Sequence, residues 1–395
     1  MTTKPLEGIR VVDFGHLIAG PGAAAALAAL GADVIKVEPP HGESGRGIGS
    51  YGKAIVAAYN RGKRSITLDL RSAAGADAAR RLIASADVVL QNMRPGAMDR
   101  LGLGAADVRT LNPRVVYASV SGFGTTGVSR SRVGLDVTAQ AESGMMSITG
   151  AADGDPQRVG FTAVDIATAD LLAQAILAAL FARERTGRGE HIQISLIEVA
   201  VHLQAACWAE YGTTGVEPRR CGNPQPTVAP GADVVQVKDG KVVISAYQDE
   251  HWRLLCTTIG RPELADDPRF SDNPQRVAHR DELRKILEAA IGDQTRDEVL
   301  ARFNRQGIVA GNIRDYREIP GAPEVEELGI FVSVDSPDGV PIRLPRRPFR
   351  ADGWSYGTES APRCGQHIAE VLAEIGYPPD EVESMLSGAA NGRRR

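Results

Sequence analysis

Cysteine is scarce in this chain of 395 residues. The four thiols, Cys207, Cys221, Cys256 and Cys364, form no C-x-x-C pair. The histidines, His191, His202, His251 and His367 among them, make no metal-ligand pattern. Disulfide scaffolds and zinc motifs are thereby disfavoured, and buried or free thiols in a reducing compartment are expected. Charge of one sign is also lacking: the formal net charge is −4 and the pI is near 6.0. That balance lacks the basic footprint of a nucleic-acid binder. Any anion site must be a local cluster of Arg and Lys. No apolar run approaches the roughly 18–20 residues of a membrane span. The start, MTTKPLEGIR, carries charge with no apolar signal core behind it. A soluble cytoplasmic protein with no metal, nucleic-acid or membrane partner is the expectation.

Two motifs are missing as well. The first strand–helix turn has no G-x-G-x-x-G, which disfavours an NAD or FAD site. No G-x-S-x-G elbow occurs, which disfavours that kind of serine hydrolase.

What is present is 43% hydrophobic residues, enough for a large core, and a length that suits two or three domains of roughly 100–200 residues each. Short apolar strands alternate with helical stretches over the first ~120 residues. The pattern predicts strands at Ile9–Phe14, Ala32–Glu38, Ser65–Leu70, Asp87–Asn92 and Val115–Gly124. Helices are predicted at Gly22–Leu30, Ala73–Ala84 and Met98–Leu101. Such alternation implies an α/β fold with a parallel sheet. Ligands bind beyond the carboxyl ends of those strands, where the loops His16–Pro21, Asn92–Gly96 and Ser121–Gly127 fall.

A strand and a helix follow, ending near Trp208, and composition then changes. Residues 211–232, rich in Gly, Pro and Asn, read as a linker. Residues 233–316 read as a small α+β domain: a hairpin over Val234–Tyr247 turning at Asp239-Gly240, then helices Glu250–Ile259, Arg280–Ile291 and Arg296–Gln306. Glu318–Val334 is expected to be a return connection. Late helices are expected at His367–Ile375 and Asp380–Leu386. The tail NGRRR is expected to be disordered.

Asp165 is the most informative residue. It closes a small-residue stretch and opens the apolar run Leu171–Phe181, which stops in the basic segment Arg183–Gly189. An acidic start and a basic end match a helix dipole. Asp165 could be a simple N-cap. It could also be a carboxylate held ionised by backbone N–H groups, as a nucleophile requires. Asp136 also stands at a helix start, and a supporting role depends on whether it faces Asp165. His16 follows the first strand at the ligand edge. Lys63, Arg64, Arg71, Arg94 and Arg100 come from separate segments that a parallel sheet could gather for a phosphate.

These blocks together resemble the class III CoA-transferases, the family of formyl-CoA transferase, carnitine CoA-transferase and alpha-methylacyl-CoA racemase. LEGIRVVDF with AGP, LGADVIKVEPP, NRGKRSITLDL, NMRPGAMDRLGL, LNPRVVYASVSGFG, GLDVTAQAESG, RTGRGEHIQISLIEV and APRCGQHIAEVLAEIGY carry the resemblance nearly end to end. It implies a large Rossmann-like domain shared by residues 1–210 and 317–395 with the small domain inserted between them, two copies interlocked as a homodimer, and CoA or acyl-CoA as substrate. Asp165 matches the family's catalytic aspartate, with His16 and Asp136 as supporting candidates. Leu17, Ala19, Leu68, Arg71, Asn92, Met93, Ala97 and Arg100 match its CoA contacts, Arg100 best suiting the diphosphate. The implied reaction moves CoA between a thioester and a free carboxylic acid.

Several positions depart from the pattern. Leu135 replaces the histidine that racemase members carry before Asp136, and leucine cannot titrate. Ile18 and Ile48 replace the Gln and Trp of formyl-CoA and oxalate members, which suggests a more apolar pocket. Pro39 replaces a basic residue that some members place on CoA. The glycine-run loop has only a weak candidate, Cys221–Asp233. A racemase, or a CoA-binding protein without catalysis, is the alternative reading.

Overall fold

A computed structural model describes residues 4–354 and 359–383. The NGRRR tail and residues 384–386 of the last expected helix lie outside the described residues.

Along the chain run β1 (Arg10–Asp13), α1 (Ala19–Ala29), β2 (Asp33–Glu38), α2 (Gly49–Tyr59), β3 (Arg64–Thr67), α3 (Ala73–Ala84), β4 (Val88–Gln91), α4 (Ala97–Arg100), α5 (Ala105–Leu111) and β5 (Val116–Ser121). Next come α6 (Asp136–Glu142), α7 (Met145–Ile148), α8 (Ala163–Thr186), β6 (His191–Ser195), α9 (Leu196–His202) and α10 (Ala205–Thr214). Then follow β7 (Asp233–Val237), β8 (Gly240–Ser245), α11 (Asp249–Thr258), α12 (Asn273–Ala278), α13 (Arg280–Ile291), α14 (Arg296–Arg305) and β9 (Val309–Asn312). Last are α15 (Pro323–Glu327), β10 (Phe331–Asp335), β11 (Pro341–Pro345) and α16 (Ile368–Glu374).

The chain folds as two compact units. The first holds residues 1–144, 159–206 and 326–395. Its six strands pair in parallel in the order β3-β2-β1-β4-β5-β6. Both sheet faces are covered, so the strands are near-continuous apolar runs; every residue of β5 is buried. On one face Val12, Ile35, Ile66, Val89 and Tyr117 pack with Leu82 and Ile83 of α3 and with Ile368, Val371 and Leu372 of α16. Helix α16 thus adds to the core laid down by the first strands. Its approach is fixed where His367 N–H donates to the Ser65 carbonyl at 2.8 Å and Gly365 N–H donates to Ser65 Oγ at 2.9 Å.

On the other side α1 lies against α8. The small residues of α1 permit close contact: a Cβ on Gly22 would come within 2.8 Å of the Ala169 Cβ. The 24-residue α8 is, by length and composition alone, apolar enough to cross a membrane, contrary to the expectation that no segment approaches that limit. Core packing accounts for the apolarity, because Val164, Leu172 and Ile176 are fully buried.

The second unit holds residues 145–158 and 207–325. Its antiparallel sheet β7-β8-β9 carries a core of Trp252, Leu255, Phe270, Leu287 and Phe303. Arg276 is buried there, donating to the Ala229 carbonyl at 2.9 Å and pairing with Asp249 at 2.8 Å. The β7–β8 turn is Lys238–Asp239, with Gly240 already paired to Val237.

The expected return connection Glu318–Val334 holds α15 and β10, and β10 forms an antiparallel hairpin with β11.

Candidate active site

The strand order reverses between β1 and β4. At such a switch the loops leave in opposite directions and open a crevice beyond the strand ends. The loops after β1 and β4 flank it and are tied together. His16 N–H donates to Asn92 Oδ1 at 2.7 Å, and Asn92 Nδ2 donates to the His16 carbonyl at 2.8 Å. Leu17 adopts a left-handed φ of 62°, which costs a residue with a Cβ about 1–2 kcal/mol. Its N–H donates to Glu43 Oε2 at 2.8 Å, which holds the turn. Helix α1 starts at Ala19, three residues before the expected Gly22, so the loop is short and the helix N-terminus reaches the crevice.

A buried charge network supports this loop. Asp13, Lys36, Glu38, Glu43 and Lys63 are all buried. Lys63 Nζ donates to Asp13 Oδ2 at 2.8 Å, to Asn60 Oδ1 at 2.9 Å and to the Pro21 carbonyl at 2.8 Å. Lys36 Nζ lies 3.8 Å from both Asp13 and Glu43 and donates to the Gly15 carbonyl. Arg46 forks onto Glu38 at 2.6 and 2.9 Å. Burial alone would raise the Asp13 carboxyl, but Lys36 and Lys63 bring it down to about 2. Burial, then Lys36, pulls the His16 imidazole below its ordinary range, so it is neutral at pH 7.

Two of the expected phosphate cations are therefore committed elsewhere. Lys63 is spent on Asp13. Arg64 opens β3 at its amino end and pairs with Asp33, Glu370 and Glu374 at 2.6–2.7 Å. The guanidinium groups of Arg71, Arg94 and Arg100 have no ion pair among the described residues.

Two cavities adjoin at the crevice. The first, about 140 Å³, brings Leu17, Ala19, Asn92 and Met93 together with Asp165. Ile18, Arg94, Arg132 and Leu135 also line it. The second, about 730 Å³, gathers Leu68, Arg71, Met93, Ala97 and Arg100 beside Pro39. It falls within the roughly 300–1,000 Å³ of small-molecule sites. His16 and Met93 line both. Of the residues expected at the site, all but Asp136, Lys63 and Arg64 thus line one cavity or the other. Ile48 lines neither and is largely exposed.

Asp136 stands behind the first cavity. Its Oδ2 accepts the N–H groups of Val164 at 2.8 Å and Asp165 at 3.0 Å. It therefore caps the first turn of α8, where Thr162 gives no side-chain bond. Gln140, one turn along α6 and fully buried, donates Nε2–H to Asp136 Oδ1. Its Oε1 accepts from Val159 N–H at 2.9 Å.

The Asp165 carboxylate itself makes no hydrogen bond with the described residues. Burial, then the charge of Asp136, raises its carboxyl to about 7. The two sequence readings of Asp165 both need correction. It is not the N-cap, and backbone N–H groups do not hold it ionised, because another carboxylate has taken them. The result is a carboxylate with no partner among the described residues and a proton held more tightly than usual. That is a basic and nucleophilic oxygen at a cavity wall.

Sequence reasoning missed Lys36, Glu43 and Gln140. A lysine inside the buried run DVIKVE was a usable signal for the first, because an unpaired charge there would be too costly. Gln140 offered only its i,i+4 spacing from Asp136.

A sequence model of CoA-transferase family III matches residues 6–368. A succinate–glutarate CoA-transferase of Agrobacterium fabrum is 36% identical, covering 94% of this chain and 96% of that protein. A probable fatty acyl-CoA transferase of Mycobacterium tuberculosis is 38% identical, covering 94% of this chain and 98% of that one. Among solved structures, a CaiB/BaiF family protein from Brucella suis superposes with a TM-score of 0.85 at 37% identity, covering 95% of this chain and 100% of that one.

Proposed function

The chain belongs to CoA-transferase family III, and from that membership we propose that it moves CoA from a thioester to a free carboxylic acid with Asp165 as covalent acceptor. The observation that carries the reading is the Asp165 carboxylate, unbonded at the wall of a cavity that adjoins a second, cation-lined one. The nucleotide end of CoA belongs in the larger cavity. There Arg71 and Arg100 offer bidentate donors to its phosphates. The thioester then extends past His16 and Met93 toward Asp165.

The ionised Asp165 attacks the thioester carbonyl. The C–S bond breaks, leaving an acyl-aspartyl anhydride and CoA thiolate. The thiolate attacks the aspartyl carbonyl, releasing the donor acid as its carboxylate and forming an aspartyl-CoA thioester. The acceptor carboxylate attacks that thioester, giving a second anhydride and thiolate. The thiolate takes the acceptor's acyl group, and Asp165 returns as a carboxylate. No step consumes a proton, so a neutral His16 suits the sequence. Each intermediate is open to hydrolysis, so the site must exclude water.

Leu135 lines the first cavity and brings no acid or base, which disfavours racemisation. The reading includes a Rossmann-like large domain, an inserted small one and an interlocked homodimer. In support of the dimer, α10 is rich in apolar residues and buries none of them. Sizing in solution tests it. A cytoplasmic location suits the scattered thiols.

Mass spectrometry of a digest after incubation with an acyl-CoA tests the chemistry. An acyl or CoA adduct on the Asp165 peptide is expected, with succinate, glutarate, oxalate and fatty acids as the acceptor panel. Full exchange by Asp165→Ala would overturn the assignment.

A further inference from the structure

We propose that Gln140 is a positioning residue for this transfer: with Asp136 it occupies the start of α8 and so keeps the Asp165 carboxylate turned to the cavity. The inference rests on Asp165 being the acyl acceptor.

The argument starts from the helix terminus. The first N–H groups of a helix have no intrahelical partner and attract any nearby carboxylate. Asp165 is the third residue of α8, and an acid at that position readily folds back onto its own helix start. Such a contact would draw the nucleophile away from substrate and blunt its oxygen. Here the vacancy is filled from outside, because Asp136 takes the N–H groups of both Val164 and Asp165.

Asp136 is itself buried and needs its second oxygen satisfied. Gln140 supplies that donor. It also grips Val159 N–H, at the far end of the segment leading into α8. One amide thus pins both ends of residues 159–165. An apolar residue there would take the acceptor from Val159 N–H and leave Asp136 Oδ1 without the Gln140 donor. The other charged or titratable groups around Asp165 are His16, Arg94 and Arg132 on the cavity wall, and Tyr59, whose hydroxyl feels the Asp165 charge. Among the described residues none of them bonds the Asp165 carboxylate, so none offers it an alternative hold to the one Asp136 has already taken.

The test compares wild type, Gln140→Leu and Gln140→Glu. Gln140→Glu retains the acceptor for Val159 but can donate to Asp136 only while protonated. Single-turnover acylation of Asp165 is followed by mass spectrometry from pH 5 to 9, with acyl-CoA affinity measured separately. Gln140→Leu is expected to slow acylation about 10–100-fold while affinity changes less than about 3-fold. The rising limb of its pH profile should move to lower pH, as Asp165 gains N–H partners. Gln140→Glu should approach the wild-type rate at the acid end of the range and lose rate as pH rises and like charge builds up beside Asp136. If Gln140→Leu does not fold, Gln140→Glu alone decides. Wild-type rate and pH midpoint in the folded variant would overturn the proposal, as would a loss lying wholly in affinity. Absence of an adduct in wild type would instead overturn the nucleophile reading. A measurement without turnover separates the two further. The pH at which Asp165→Asn changes stability reports the Asp165 proton, and it should fall below about 7 in the Gln140→Leu background.

Discussion

Asp165 and Asp136 share one helix start yet face opposite demands. Asp136 is satisfied by three donors, whereas the Asp165 carboxylate has none among the described residues. The folded pKa of Asp165 is raised from 3.8 to about 7. An acid with a raised pKa costs stability when it is ionised. The cost is absent below about pH 4, grows from there to 7 and is full above 7. Asp165→Asn should therefore stabilise the protein at pH 8, by up to about 4 kcal/mol from a shift of roughly three units. Denaturant titrations should find the gain vanishing near pH 4. In the same window kcat/KM of the wild type should rise with pH through about 7, as the nucleophile ionises. Asp165 itself was legible from the acidic start and basic end of its segment. Its lack of partners was not, because the donor pair it forgoes goes to a residue 29 positions earlier in sequence.

At the scale of elements, the turn after β1 depends on a charge network with no access to water. Removing one partner from such a network strands the others. Lys63→Met should cost about 3–5 kcal/mol, seen as a lowered denaturation midpoint, because Asp13 loses its 2.8 Å partner. Where α1 meets α8, Gly22→Ala would force the helices apart. About 1–3 kcal/mol is expected for such overpacking, with weakened activity, since α1 brings Ala19 to the Asp165 cavity. The five expected strands were readable because burial on both faces writes continuous apolar runs, and α3 and α13 match their expected bounds. Helix α2 was not readable. Its sequence GSYGKAIVAAY carries two glycines, and glycine is a poor helix former. The β10–β11 hairpin was hidden too: only Val334 of its ten residues is buried, and β11 opens and closes with proline.

For the whole molecule, a net charge of −4 opposes a polyanionic substrate, so affinity must come from a few local guanidinium groups. Arg100→Ala and Arg71→Ala should each raise KM for acyl-CoA about 10-fold or more with kcat little changed. Titration of binding against salt should show a shallower dependence in each variant. The composition indicated that such a cluster must be local. It could not say which cations were free, because Lys63 and Arg64 differ from Arg71 and Arg100 only in the acids that folding places beside them.

Helix α16 has a bearing on how the polypeptide is made. Ile368, Val371 and Leu372 cover strands that emerge from the ribosome some 300 residues sooner. A nascent chain halted before residue 360 leaves Ile66 and Leu82 without that cover. That face of the parallel sheet therefore waits, open and prone to aggregation, until α16 has been made.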